Sequence, residues 1–507
     1  MNAKRLISVL LCMLFVATSL LLASCSDVTT TENSQADQSN AGTTDESKEA
    51  SDTAVDFDEL MPEFSWSGSE YEEFNVLVVS QEGDATYYCE DVVPNAYSTT
   101  DASLSEAVAK RNDEILTKYG VTINAHPVKD VRADLKEDIT SNLLQYDAAL
   151  MFMPAAASLA QEGYLWDLNE FSDYLHFDQP WWDQSATESL SIGGKLYFNT
   201  GDISIMPKIV STAITFNKEI FKKNFPEQDL YQMVKDKEWT FDKMIEMSRT
   251  VTADTDGQSG MTYHDTWGLS ASYGDVAGFF IGAGKNYIVK DSDDLPIISM
   301  NDTSSVTTLQ KILEALQLKD EWCFHCNTVT DGSNIWVISL DVFGQNRALF
   351  RTSAFSAIKK LRAYDDAQEF GIVPNPLVTE EQEDYYTYCS ARMAYAAVIP
   401  NSLQGDKANF AAFMLEAMAY GGRKYITPAY YETTLKYRDL RDDESGEMLD
   451  LIFSNVVYDL GIIYDFGGVS SMITDMMKNN STDVASTFEA KQDAILDAID
   501  SCVESYS

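Results

Sequence analysis

The stretch IGGKLYFNTGDISIMPKIVSTAITFNKEIF, Ile192–Phe221, decides the fold. Two glycines, Gly193 and Gly194, turn the chain into an extended apolar run at Leu196–Phe198, and a second apolar strand follows at Ala213–Phe216. The segment between the two runs is polar. This pattern predicts two strands in succession, with the chain leaving one lobe of the protein and entering another between them.

The length and charge of the chain limit what the protein can be. At 507 residues it exceeds the size at which one hydrophobic core stops growing, so at least two lobes are expected. The 36 Lys and Arg against 80 Asp and Glu give a formal net charge of −44. A surface this acidic repels nucleic acid and anionic lipid headgroups, and we therefore expect no nucleic-acid partner.

The N-terminus has the pattern of a secretory signal over residues 1–24. Lys4 and Arg5 precede an apolar run at Leu6–Ala23, and small residues lead to Cys25. A cysteine at this position resembles a bacterial lipobox, and its acylation would attach the protein to the outer face of a membrane. The alternative is an uncleaved transmembrane helix. Both interpretations export the rest of the chain.

Residues 25–60 are rich in Ser, Thr, Asp and Glu and contain almost no large apolar side chains before Phe57. Such a segment buries too little surface to offset the entropy of its chain. We expect it to be a disordered tether that lets the folded body stand away from the membrane.

A βαβ pattern opens the folded body. A Val-rich strand at Phe74–Ser80 is followed by an amphipathic helix at Ser103–Tyr119 and a strand at Val121–Asn124. A helix at Val131–Leu144 then leads to a strand at Tyr146–Met153. Ligands of open parallel sheets bind beyond the carboxyl ends of the strands, so the loops after the first and third strands are candidate pocket walls.

The middle of the chain predicts a second lobe and a return. Thr240 is placed to cap a helix, and Trp267–Tyr273 has the pattern of a strand and loop. Arg347–Arg351 is expected to recross to the first lobe, which Gly371–Pro374 and Met393–Val398 would continue. The remaining residues are mostly helical by their pattern. The expected helices are Asn409–Tyr420, Thr433–Arg438, Glu447–Val457 and Thr482–Ile499.

Of the seven cysteines, Cys12 lies in the expected signal and Cys25 at the expected anchor. The five that remain are an odd number, so we expect no full disulfide framework. Cys323 and Cys326 have a CxxC spacing, which leaves a structural pair, a disulfide, a metal site and redox chemistry open, although one such pair is only half a zinc site. Asp254 and Asp256 begin a segment that resembles half of a calcium loop. Gln258 and Asp265 occupy positions where that loop needs other residues, so a surface turn and a calcium site both remain open.

No catalytic motif is evident. The chain has no HExxH, no GxSxG and no GxGxxG after a strand, and it contains only four histidines. We therefore expect no enzyme activity and no cofactor. A pair of carboxylates for glycoside hydrolysis stays an alternative, because 80 acidic residues always offer some pair.

Aromatic residues are the positive signal for a ligand. The chain has 8 Trp, 26 Tyr and 24 Phe. A sugar has an apolar C–H face and a hydroxylated rim, which suits a cleft with aromatic platforms and a few polar partners. Trp181 and Trp182 are candidates for such a platform or for core packing.

Several short motifs occur in an order that resembles the extracellular solute-binding proteins of ABC transporters, family 1, whose best-known relatives bind maltodextrins. The resemblance extends from about Tyr71 to Ile499. The matching elements are Gly163–Leu168, Pro180–Trp182, Gly193–Tyr197, Phe216–Lys218 and Trp239–Met244.

This resemblance implies an α/β, two-lobed, periplasmic-binding-protein-like fold of type II. Each lobe would have a mainly parallel sheet flanked by helices, and the C-terminal region would be helical. The expected first lobe is 70–205 plus 350–400, and the expected second lobe is 212–346 plus 402–507. Hinge crossings are expected near 205–212, 346–351 and 398–402.

The resemblance also implies the function and the site. The protein would bind an oligosaccharide between the lobes and deliver it, as a monomer, to ABC permease subunits. The alternatives are a surface-anchored glycan-degrading enzyme, a binding protein for another solute such as a peptide, and a structural lipoprotein. The expected ligand-binding residues are Gln81, Glu82, Met153, Ala155, Trp182, Asp202, Tyr273, Arg351 and Phe466.

Overall fold

The computed structural model of the protein describes residues 57–80, 82, 90–94, 102–317, 322–361, 364, 369–431 and 443–506. They lie within one unit, Ala54–Ser507. The expected signal segment, Cys25, Gln81 and the helix at 433–438 lie outside the described residues. Within those residues, no helix combines the length and the apolar character that crossing a bilayer requires.

The strands follow the predicted pattern closely at the start of the chain and less closely later. In chain order they are β1 (Glu73–Val79), β2 (Thr122–Val128), β3 (Ala148–Phe152), β4 (Thr212–Asn217), β5 (Trp267–Ala271), β6 (Ile288–Lys290), β7 (Pro296–Ile298), β8 (Cys323–His325), β9 (Ala348–Ala354), β10 (Phe370–Val373), β11 (Thr387–Tyr388), β12 (Tyr395–Val398) and β13 (Val456–Val457).

Helices connect and cover these strands. In chain order they are α1 (Phe57–Leu60), α2 (Ala102–Tyr119), α3 (Val131–Thr140), α4 (Met153–Gln161), α5 (Gln184–Leu190), α6 (Met206–Ile209), α7 (Lys218–Asn224), α8 (Leu230–Lys235), α9 (Phe241–Val251), α10 (Val276–Gly282), α11 (Thr303–Leu316), α12 (Ile335–Gly344), α13 (Phe355–Leu361), α14 (Asp406–Gly421), α15 (Asp443–Ser454), α16 (Leu460–Tyr464), α17 (Val469–Asn479), α18 (Val484–Glu489) and α19 (Gln492–Ser505).

The first sheet is four-stranded and has the order β12-β3-β1-β2. β1 pairs in parallel with both β2 and β3, and β12 pairs antiparallel with β3. Val76–Val79 is buried throughout, as expected for a strand covered on both faces. The predicted βαβ unit is therefore confirmed.

The second sheet is five-stranded and has the order β10-β4-β9-β5-β8. It is mixed, because β5 pairs in parallel with β8 and β9 whereas β4 pairs antiparallel with β9 and β10. The fold class is thus α/β with helices against the sheets, as predicted, but this second sheet is not mainly parallel.

The expected return to the first sheet near residues 346–351 is wrong. β9 lies between β4 and β5 in the second sheet, and β10 extends the same sheet beyond β4. The chain returns only at β12, which pairs with β3. The prediction failed because a short apolar run such as Ala348–Phe350 has no local feature that specifies its partner strand.

The predicted strand at Leu196–Phe198 is also wrong, although the turn before it forms. Gly193 and Gly194 have φ of 59° and 75°, a backbone region that favours glycine. The Leu196 N–H donates to Asp167 Oδ1 at 3.0 Å instead of joining a ladder. Only isolated bridges remain in this segment. The segment is extended but side-chain acceptors take the place of a partner strand.

Two helical boundaries differ from the sequence prediction. The expected helix at 482–499 is divided into α18 and α19, which are separated by Ala490 and Lys491. The expected tether to residue 60 ends earlier, because Phe57 is 3% exposed and its ring lies 4.5 Å from that of Tyr420. In contrast, the predicted cap is confirmed: Thr240 Oγ1 accepts the N–H of Lys243 at 3.1 Å at the start of α9.

The chain passes from the first sheet to the second through the crossing segment, Thr200–Ser211. It begins in close contact with two other backbones. A Cβ on Gly201 would lie 2.4 Å from the Trp181 carbonyl oxygen, and one on Gly422 would lie 1.9 Å from the Asp202 carbonyl oxygen. Gly422 opens a π-helix, Gly422–Ile426, directly after α14. These two glycines therefore allow the crossing segment to lie between the turn at residues 177–181, which we call the Trp181 turn, and the end of α14.

We expect Gly422→Ala to lower the free energy of unfolding by about 2 kcal/mol, because backbone must shift to accept the added methyl group. The measurement is chemical denaturation of the two proteins. Gly278→Ala in α10 is the matched control, since its nearest neighbouring atoms would lie 3.7 Å away, at ordinary contact distance. A Gly422→Ala protein as stable as the Gly278→Ala protein would contradict this view of the crossing.

Candidate functional site

A cavity of about 350 Å³ lies beside the crossing segment. We call it the crossing cavity. Its walls come from the Trp181 turn, the crossing segment, the π-helix and the end of α15. The side chains that matter for its chemistry are Trp182, Asp183, Asp202, Lys208, Arg423, Thr427, Tyr431 and Phe453.

Asp202 is the centre of the charged part of the crossing cavity. Its side chain is 5% exposed. Oδ1 accepts a hydrogen bond from the Lys208 ammonium at 3.0 Å and another from the Thr427 hydroxyl at 2.7 Å. Oδ2 lies 3.5 Å from Arg423 Nη1. Both carboxylate oxygens are thus engaged. The carboxylate fixes the two cations at the cavity wall, and these cations are more exposed than the carboxylate itself.

A second carboxylate, Asp183, connects the same wall to the secondary structure. Its Oδ1 accepts the Ala186 N–H at 3.0 Å and so caps α5, while Oδ2 accepts the Tyr458 hydroxyl at 2.9 Å. Burial raises the pKa of the Asp183 carboxyl above its usual value, against the opposing effect of these donors and of Lys208. The cavity wall therefore brings two cations, Lys208 and Arg423, close to two carboxyl groups, Asp183 and Asp202.

Trp181 and Trp182 are packed in the core and also border the cavity. They are 2% and 3% exposed. Their indole N–H groups donate to the two oxygens of Glu416, at 2.9 Å for Trp181 and 2.6 Å for Trp182. Glu416 lies in α14 and is fully buried. Both residues are therefore packed in the core and also line the cavity, and the ligand-binding alternative for Trp182 stays a prediction.

Three of the expected ligand residues lie inside packed regions. Met153 is fully buried at the start of α4. Ala155 is partly buried and packs against the same apolar cluster. Phe466 is 2% exposed, and its ring stacks on that of Tyr464 with centroids 5.1 Å apart. In this structure these side chains contact protein rather than the crossing cavity.

Tyr273 and Arg351 lie together at another place, near the carboxyl end of β5 in the second sheet. Arg351 pairs in register with Ser270, three residues before Tyr273. The Tyr273 N–H donates to Asn327 Oδ1 at 2.7 Å. Arg351 is 8% exposed and donates to Ser353 Oγ at 2.8 Å, and burial lowers its pKa from the usual value. Neither residue is among those that line the crossing cavity.

The loop after β1 is described only in part. Glu82 is exposed and lies 3.3 Å from Lys129, in an ion pair whose two side chains are both mostly solvated. Such a pair contributes little to stability. Of the expected site residues, the structure therefore brings Trp182 and Asp202 to one cavity, places Tyr273 and Arg351 elsewhere, and leaves the ligand-binding role of all of them a prediction.

The sequence analysis did not identify the residues that complete the cavity. Arg423 and Thr427 follow α14, and Glu416 lies within it, more than 200 residues from the side chains that they contact. Lys208 is only six residues from Asp202, in the same crossing segment. A cation close to a carboxylate in a crossing segment is the one local signal that could have found part of this network.

The segment that resembles half of a calcium loop is held by hydrogen bonds from backbone N–H groups to the Asp265 carboxylate. Carboxylate oxygens of Asp254, Asp256 and Asp265 come within 4.8 Å of one another. Yet Asp265 Oδ1 accepts the N–H groups of Thr255 and Asp256, and Oδ2 accepts that of Thr262, at 2.7–2.9 Å. Burial acts to raise the pKa of Asp265, but these backbone donors outweigh it and lower the pKa. The geometry is that of a turn organised by one aspartate.

The cysteines in the described part of the chain are buried free thiols. Burial raises the pKa of Cys326 to about 12 and that of Cys323 well above its usual value. Thiolates are the reactive and metal-binding form, and burial disfavours that form at these cysteines. Among the interpretations left open for the CxxC pair, the structure shows packed thiols.

Comparisons with known proteins agree with the fold. Residues 95–315 match the family model of the bacterial extracellular solute-binding proteins. No curated protein sequence is significantly similar to the chain. A cyclo/maltodextrin-binding protein complexed with maltotetraose has a TM-score of 0.53 at 14% identity, covering 87% of this chain and 98% of that one.

Two further solved structures are similar in the same way. An ABC transporter solute-binding protein from Thermotoga lettingae bound to α-D-tagatose has a TM-score of 0.51 at 12% identity, covering 84% of this chain and 99% of the other. An ABC substrate-binding protein from Listeria monocytogenes in complex with cycloalternan has a TM-score of 0.50 at 13% identity, covering 84% and 98%. The resemblance stated from the sequence motifs is thereby confirmed: the chain matches the bacterial extracellular solute-binding proteins over residues 95–315 and has their two-lobed α/β fold.

Proposed function

We propose that the protein is the solute-binding component of an ABC importer and that it holds an oligosaccharide in the crossing cavity. The observation that carries this proposal is the cavity itself. It combines an aromatic wall with a fixed set of hydrogen-bonding groups at the passage between the two sheets. Its volume of about 350 Å³ is within the usual range of ligand pockets, about 300–1,000 Å³.

The chemistry of the wall suits a neutral, hydroxylated ligand. Lys208 and Arg423 are donors that Asp202 holds in place, and Thr427 adds a hydroxyl. Because carboxylates balance the cations, the cavity does not require a charged solute. Tyr431 also lines the cavity, and an aromatic side chain there can contact the apolar face of a sugar ring.

The similar solved structures support sugars as the solute class to test first. Their bound molecules are maltotetraose, α-D-tagatose and cycloalternan. At 12–14% identity these proteins show the fold alone, so they suggest only which solutes to test first, and the proposal of a sugar itself rests on the chemistry of the cavity.

The proposed mechanism is closure of two lobes on the solute. The first lobe would comprise residues 70–205 with the returning strand at 395–398 and with α14, whose apolar side chains pack in one cluster with those of β1 and β2. The second would comprise 212–373 with the helices after residue 443, which differs from the expected second lobe because α14 is no longer part of it. The crossing segment and the passage between β10 and β12 would act as hinges. A solute that contacts both lobes stabilises the closed state, because only that state makes both sets of contacts. The closed form would then dock on permease subunits.

We further propose that Cys25 carries acyl chains and that the acidic segment after it is a tether. The n-region, the apolar run and the cysteine at the expected cleavage point support this part of the proposal. The family match is consistent with a location outside the cytoplasmic membrane, where an importer collects its solute.

Maltotetraose is expected to raise the melting temperature of the mature protein in a thermal-shift panel of oligosaccharides and peptides, because a ligand that binds only the folded state stabilises it. Arg423→Gln is expected to weaken binding by about tenfold or more, the effect of losing a charged hydrogen-bond donor. Arg249→Gln, an exposed arginine on α9, is the matched control and should bind as the wild type does.

Stabilisation by peptides alone would contradict the sugar part of the proposal. Release of shorter sugars from the panel would show a glycan-degrading enzyme instead. Equal weakening by Arg423→Gln and Arg249→Gln would show that the crossing cavity is not where the sugar binds.

Cys25→Ala is expected to abolish incorporation of a radiolabelled fatty acid and to release the protein from the membrane fraction of a bacterial host. The physical reason is that acyl chains, and no peptide segment, would hold the mature protein at the surface. Retention of Cys25→Ala in the membrane fraction, with the N-terminal residues uncleaved, would favour the transmembrane alternative.

A further inference from the structure

Glu416 is a buried carboxylate whose immediate partners can be named. It lies in α14 with no exposed surface, and its two oxygens accept one indole N–H each, from Trp181 at 2.9 Å and Trp182 at 2.6 Å. Indole N–H groups are neutral donors, so they satisfy the oxygens without cancelling the charge. A buried carboxylate without a cationic partner is costly.

His176 is the titratable group beside this carboxylate. Its Nδ1 lies 3.4 Å from Glu416 Oε1, and its side chain is 16% exposed, so it can exchange protons with solvent. The other charged groups that act on it among the described residues are Asp173 and Asp178, on its own segment. All three neighbours are acidic and favour the imidazolium form.

The acidic neighbours of His176 determine how the stability of the folded state depends on pH. The contact with Glu416 raises the pKa of His176 above its usual value, against the opposing effect of burial, and Asp178 and Asp173 add to the rise. The stabilisation is therefore fully present below the pKa of an unfolded histidine, about 6.5, and is lost as the pH rises through the higher folded value. Above that value His176 is neutral and no longer balances the carboxyl group of Glu416.

Loss of the positive charge on His176 would affect the crossing cavity through Trp181 and Trp182. Trp181 and Trp182 both border the cavity, and both indoles donate their N–H groups to Glu416. Trp181 also packs against Tyr420, with ring centroids 5.4 Å apart. A change in the charge balance at Glu416 therefore acts on the wall that a solute would touch.

We propose that Glu416 and His176 are positioning residues for the crossing cavity, and that protonation of His176 holds the Trp181–Trp182 wall in its binding orientation. Solute is then held more tightly in mildly acidic than in alkaline surroundings. The effect on solute rests on the proposed function, whereas the effect on the two indoles does not.

The test follows tryptophan near-ultraviolet circular dichroism of the mature protein without ligand, from about pH 5 to about pH 9, which brackets the ordinary histidine range. The wild type should show one transition with a midpoint above the usual histidine value. The maltotetraose dissociation constant should rise by about threefold or more across the same transition, as expected when one partly exposed ion pair is lost.

Three variants separate this role from a merely structural one. His176→Gln should lose the spectral transition, whereas His264→Gln, at an exposed histidine on a different loop, should keep it. Glu416→Gln should shift the spectrum at every pH and also lose the transition, because the amide nitrogen of glutamine cannot accept an indole N–H. A purely structural Glu416 would lower stability in this variant and leave the transition unchanged.

The outcomes distinguish this inference from the proposed function. A spectral transition that His176→Gln removes, in a protein that binds no maltotetraose, would support the positioning role and overturn sugar binding. Absence of a transition in the wild type, or its persistence in His176→Gln, would overturn the inference. A transition with an unchanged dissociation constant would overturn the link between His176 and the cavity.

Discussion

The structure depends on a close approach of three backbones. The start of the crossing segment lies between the Trp181 turn and the end of α14, and the absence of side chains at Gly201 and Gly422 makes the approach possible. The Asp202 N–H donates to the Trp181 carbonyl oxygen at 2.8 Å, which completes the contact. This contact brings residues from distant parts of the chain, including Arg423, to one cavity at the passage between the two sheets.

Local charge in the cavity differs from the charge of the chain as a whole. The formal net charge is −44, yet Lys208 and Arg423 are held at the cavity wall by a nearly buried Asp202. Cations in an acidic protein are usually solvated by water or by surface carboxylates. Here the carboxylate is buried and the cations are fixed, so that their remaining N–H groups are preorganised as donors. Preorganised donors lower the entropic cost of binding a hydroxylated solute.

The sequence predicted the elements whose determinants are local. The helix after β1 begins one residue from its predicted start and ends where predicted, because its apolar stripe and the following Gly120 are local signals. The cap at Thr240 was found for the same reason. Strand partners were not found: β9 and β10 were assigned to the wrong sheet, since pairing depends on the whole topology.

The candidate site could likewise be predicted only where its residues are determined by local sequence. Asp202 could be proposed from its place in the crossing segment and from the family resemblance. Arg423, Thr427 and Glu416 could not, because their positions depend on how α14 packs against a turn more than 200 residues away.

The most direct measurement is a crystal structure with maltotetraose. The account predicts sugar oxygens about 3 Å from the side-chain nitrogens of Lys208 and Arg423. Sugar bound only near Tyr273 and Arg351, or no bound sugar at saturating concentration, would contradict it.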